Sequence, residues 1–125
     1  MTNISSYENL DCWQKARNLA VDVYQASMNG SLSKDFVLRD YLRRSAVSIV
    51  SNIADGKERD TPAELIRFLR LAKASTAKLR TQLVISREIG HLAEGDFLDL
   101  EDKAISISSS IANLLKRMKT STEKP

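Results

Sequence analysis

Residues 34–64 read KDFVLRDYLRRSAVSIVSNIADGKERDTPAE, and their apolar positions decide the fold. Leu38, Leu42, Ser45, Ile49 and Ile53 follow at steps of four, three, four and four, the spacing that lines up one face of an α-helix. The stripe predicts a helix over about 34–54 with that face turned to a core. Gly56 and the charged run Lys57-Glu58-Arg59-Asp60 are expected to form an exposed break. Thr61-Pro62-Ala63-Glu64 then opens another helix. It offers a capping hydroxyl, a proline at the first helical position where no N–H is needed, and a carboxylate three residues after the cap.

The same periodicity extends in both directions. Upstream, Trp13, Ala16, Ala20, Val23 and Tyr24 predict a helix over about 7–28, closed by Asn29-Gly30-Ser31; Ser33 or Asp35 is placed to cap the next one. Downstream, Leu65, Phe68, Ala72, Leu79 and Leu83, with Ser75 and Thr76 between them, mark the core face of a helix over 62–89. Leu71, Ile85 and Ile89 lie on another side of that helix, as expected of an element that touches more than one neighbour or a sister subunit. After the turn Gly90-His91-Leu92, a fourth helix over 94–119 presents Phe97, Ala104, Ser108, Ile111, Leu115 and Met118, and residues 120–125 read as a frayed tail. Four long helices with short connections imply an all-α, antiparallel up-down-up-down four-helix bundle. At 125 residues the chain is expected to form one domain.

Composition narrows the function. The single cysteine, Cys12, has no partner for a disulfide and no Cys or His at metal-ligand spacing, so neither a metal nor another cofactor is expected, and the thiol reads as reduced in a cytoplasmic protein. The start of the chain lacks a signal-peptide pattern and no apolar run reaches the length of a membrane span, so no membrane partner is expected. Nor is a catalytic set: His91, the sole histidine, sits in a predicted turn, Trp13 and Cys12 read as packing residues, and no Glu-x-x-His pair occurs. The net charge of +3 is mild, but residues 61–90 hold six basic side chains against Glu64 and Glu88. Lys73, Arg80 and Arg87, seven residues apart, form a row along one side of a helix. Such a row suits the phosphates of RNA or DNA, and it suits a solvated face or an acidic subunit contact as well. Arg67, Arg70 and Lys78 form a second basic set. Arg43 and Arg44, about 100° apart on their helix, divide between a seam and an outward position, with Asp40 as a competing partner.

The run Arg43-Arg44-Ser45-Ala46-Val47-Ser48-Ile49-Val50-Ser51-Asn52-Ile53-Ala54-Asp55-Gly56 closely resembles the signature of a bacterial four helix bundle family. Its members include proteins encoded by intervening sequences inside large-subunit ribosomal RNA genes. Leu10-Asp11-Cys12-Trp13-Gln14-Lys15-Ala16, Leu79-Arg80-Thr81-Gln82-Leu83 and Ile89-Gly90-His91-Leu92 extend the likeness over about 7–118. The resemblance implies a ring-shaped homopentamer. Through similarity to the accessory variability protein of diversity-generating retroelements, it also implies an RNA or DNA partner. Asn52 is expected to bond to nearby backbone or arginine, and Gly56 to allow a sharp exit from its helix. The family pattern has acidic residues where this chain has Lys78 and Arg80, so any contact built on those carboxylates is altered here. The leading expectation is therefore a non-enzymatic homo-oligomer that contacts nucleic acid; the alternative is a structural or protein-interaction module without that affinity.

Overall fold

A computed structural model describes Tyr7 and residues 10–123, with side chains of 120–123 left aside. It contains four α-helices and, among the described residues, no strand: α1 (Asp11–Ala26), α2 (Phe36–Glu58), α3 (Pro62–Glu88) and α4 (Glu94–Glu123). Each helix packs on the next, and α1 closes the bundle against α4. The pairing is antiparallel, as the side-chain partners show. Ser110 donates to Asp11, Lys15 donates to Ser106 and Lys103 donates to Asp22, so α4 descends as α1 rises.

The helix boundaries follow local chemistry. Thr61 caps α3 through its hydroxyl, which accepts the Glu64 N–H at 3.2 Å, with Pro62 next, as the sequence predicts. The first helix begins four residues later than expected, at Asp11, because Leu10 is extended and its carbonyl receives the N–H groups of Trp13 and Gln14. Glu8 and Asn9, also in the expected helix, lie outside the described residues. Between α1 and α2 the chain makes a 3-10 turn over Ser31–Lys34, and α2 starts only at Phe36, where the Asp35 carboxylate accepts the Leu38 N–H at 3.1 Å. At the other end, α4 stays helical to Glu123, so 120–123 are not the frayed tail expected; Lys124 and Pro125 lie outside the described residues.

Gly56 corrects the sequence reading most sharply. It is buried inside α2, which continues to Glu58, and a Cβ there would lie 2.6 Å from Cβ of Phe68. The glycine therefore lets α2 and α3 approach closely. The reversal falls instead on Asp60, whose φ of 64° lies in the left-handed region that Asp tolerates better than most residues.

The core takes the expected stripes of α2 and α3 and, from that of α4, Phe97, Ala104 and Ile111, enlarged by Leu69, Leu100 and Ile107; Ser108, Leu115 and Met118 are only half-buried. Full burial of each Leu or Ile contributes about 1.5–3 kcal/mol. On α1 the buried face is Cys12, Ala16, Leu19 and Val23, turned slightly from the expected stripe. Trp13 and Ala20 stand at its edge, and Tyr24 is exposed. Both aromatics have cationic covers: Arg17 lies 5.2 Å from the Trp13 ring and Arg43 lies 4.7 Å from that of Tyr24.

Candidate nucleic-acid interface

Helical geometry sorts the basic residues of α3 into two sides. Lys73, Arg80 and Arg87 face the α4 seam. Arg80 Nε lies 2.7 Å from Glu101 Oε1, and the Glu101 side chain is only 14% exposed. Arg87 approaches Glu88 at 3.5 Å and Glu94 at 3.8 Å, with its guanidinium 4.1 Å from the Phe97 ring centre. Two members of this row thus already hold carboxylates, whereas Lys73 is exposed and makes no ion pair among the described residues. On the other side, Arg67 is bonded to Glu64 at 2.9 Å and covers Phe68. That hydrogen bond holds the Glu64 carboxyl below its ordinary range and raises the Arg67 guanidinium. Arg70 and Lys78 are exposed, without an ion pair among the described residues.

The signature residues divide the way their angular spacing requires. Arg43 runs along the α1–α2 seam, where its Nε donates to the buried Ser27 hydroxyl at 2.7 Å. Arg44 points outward and makes no ion pair among the described residues. Asp40 is taken by Arg39 at 3.0 Å, so it competes for neither. Asn52 donates to the Ser48 carbonyl at 2.9 Å and to its hydroxyl at 3.1 Å; no arginine is involved. Ser48 in turn lies 2.9 Å from the Ser75 hydroxyl of α3. Arg44 and Lys78 line the same α2–α3 groove, a space of about 310 Å³, so the positive charge at Lys78 confronts an arginine across the groove.

Leu71, Ile85 and Ile89 are exposed at 44%, 45% and 55%, as an unpartnered apolar face of α3. A second apolar surface escaped the sequence reading. Val21, Tyr24 and Met28 of α1 and Val47 of α2 line a groove of about 480 Å³. Its signal was present: Val21, Tyr24 and Met28 stand at steps of three and four and form a stripe of their own.

His91 joins two turns. Its Nδ1 lies 2.7 Å from Ser31 Oγ and its Nε2 lies 3.1 Å from Asp35 Oδ2, while the other Asp35 oxygen caps α2. The N–H of Leu38 foremost, and then His91, hold the Asp35 carboxyl below its ordinary value. Cys12 is fully buried, and burial pushes its thiol up to about 11, which keeps it protonated and unreactive near neutrality. Among the described residues no cluster of His, Cys, Asp and Glu could hold a metal ion, and no helix is long and apolar enough to cross a membrane.

Fold and surface together define a small four-helix bundle whose unpaired cations and apolar grooves lie on its outside. The chain belongs to the 23S rRNA-intervening sequence protein family, which residues 8–113 match. It is also similar to the crystal structure of a protein of unknown function from the S23 ribosomal protein family of Bacteroides thetaiotaomicron. The TM-score is 0.77 at 19% identity, over 84% of this chain and 98% of the other. At that identity the likeness shows the fold alone. No curated protein matches the chain.

Proposed function

We propose that this protein is a non-enzymatic homo-oligomer, a cytoplasmic ring of five by family resemblance, that holds structured RNA or DNA by its phosphates. One observation carries the reading. Arg44, Arg70, Lys73 and Lys78 make no ion pair among the described residues, whereas Arg59, Arg67, Arg80, Arg87 and Lys103 each stand against a carboxylate. Unpaired cations attract a phosphate backbone without reading its bases. The family name, which ties its members to intervening sequences of 23S rRNA, agrees with such a partner. Repetition around a ring multiplies weak contacts by avidity.

The test is binding to an RNA hairpin and to duplex DNA, titrated with salt. Neutralising several phosphates gives a logarithmic affinity that falls with log salt at a slope of about −0.7 to −0.9 per contact. Absence of binding at low salt would leave the second reading, a protein-interaction module. The apolar α1–α2 groove and the exposed Leu71, Ile85 and Ile89 favour that alternative.

A further inference from the structure

We infer that the groove between α2 and α3 is an oxyanion site that seats one phosphate group of a polynucleotide, gripped by Arg44, Lys78 and the Ser75 hydroxyl. The inference rests on the polyanion reading and gives it a location. No carboxylate lines the groove, so its two cations meet no countercharge there. The hydroxyl chain adds direction. Asn52 donates to Ser48 Oγ, and Ser48 Oγ lies 2.9 Å from Ser75 Oγ, a bond in which either hydroxyl can donate; with Ser48 as the donor, the Ser75 proton is available to a ligand. Gln82 also lines the groove, and its buried side-chain oxygen receives no hydrogen bond, so no partner fixes that amide and it can offer its NH2 to an anion. The two cations, with a hydroxyl and an amide that can each donate, complement an oxyanion, and the paired positive charge repels a cation. A polynucleotide fits better than a free anion because unpaired Arg70, on the same side of α3 as Lys78, continues the positive charge beyond the groove.

The experiment uses the full chain, a fluorescent RNA hairpin followed by anisotropy across salt, and inorganic phosphate at constant ionic strength followed by melting temperature. Arg44→Gln and Lys78→Gln should each flatten the salt slope by about one, and the double variant by about two. Lys34→Gln, an equal loss of charge at an exposed site off the groove, should leave it unchanged. Lys78→Glu should weaken binding more than Lys78→Gln, because the new carboxylate engages Arg44. A double variant with the wild-type slope would overturn the site while the polyanion reading stands; a wild type that binds no RNA at low salt would overturn both. Protection of the wild type by phosphate without RNA binding would reduce the groove to a small-anion site and refute the polynucleotide occupant. Dissociation of the oligomer in the double variant, with RNA binding intact, would assign the groove to a carboxylate of a second copy and refute the proposal too.

Discussion

A single hydrogen atom in place of a methyl group sets the distance between α2 and α3 at Gly56. A Cβ there would meet Cβ of Phe68, an atom fixed to the backbone of α3 that cannot swing aside. Gly56→Ala should therefore destabilise the fold by about 1–3 kcal/mol through overpacking, outweighing the ~1 kcal/mol that alanine gains inside a helix. Urea denaturation decides the sign, and a more stable variant would mean that the helices are free to separate. At Asp35 the chemistry is electrostatic. The carboxylate caps α2 and meets His91, so its folded pKa lies below the ordinary 3.8. A lowered acid contributes stability that is present above 3.8 and lost as the pH falls through the folded value. Asp35→Asn can keep the capping oxygen but cannot titrate. Its stability should change less than that of the wild type across this acid window, as read from denaturation midpoints against pH.

Among the elements, α1 and α2 show where periodicity informs and where it stops. The stripe from Leu38 to Ile53 is buried throughout, because evenly spaced Leu and Ile leave one solution for the helix face. On α1 the stripe through Trp13 and Tyr24 misplaces the face by part of a turn. Large amphipathic rings pack at a rim beneath Arg17 and Arg43, while the smaller Cys12 and Leu19 go inside. Gly56 was legible as special but not as to its use, since close approach depends on Phe68 of another helix. The candidate site was half legible for the same reason. Spacing puts Lys73, Arg80 and Arg87 in a row, but only packing reveals that Glu101 and Glu94 of α4 lie alongside. The Arg80–Glu101 pair accordingly belongs to the α3–α4 seam. Arg80→Gln should cost about 1–2 kcal/mol, because it leaves a mostly buried carboxylate with its partner gone. Lys103→Gln, at a more exposed pair, should cost less. Equal losses in thermal denaturation would show the Arg80 pair to be an ordinary surface contact.

For the whole molecule, a ring of identical subunits needs two different faces that fit each other, since head-to-tail contact joins unlike surfaces. The bundle offers two apolar areas, the α1–α2 groove with Val21, Met28 and Val47, and the outer side of α3 with Ile85 and Ile89. Exposed apolar side chains gathered on one face mark contact sites. If these faces meet in the proposed ring, Met28→Glu and Ile85→Glu should each stop ring closure by burying a charge at one half of every contact. Each variant keeps the other half intact. Mixing them should therefore restore one contact per pair and stop at a dimer, because the two free ends of that dimer carry only damaged faces. Sedimentation velocity separates the outcomes. Assembly of either variant on its own would mean that like faces meet across a two-fold axis, and a mixture that remains monomeric although the unmodified chain assembles would mean that these two faces do not meet; either result rules out this head-to-tail ring.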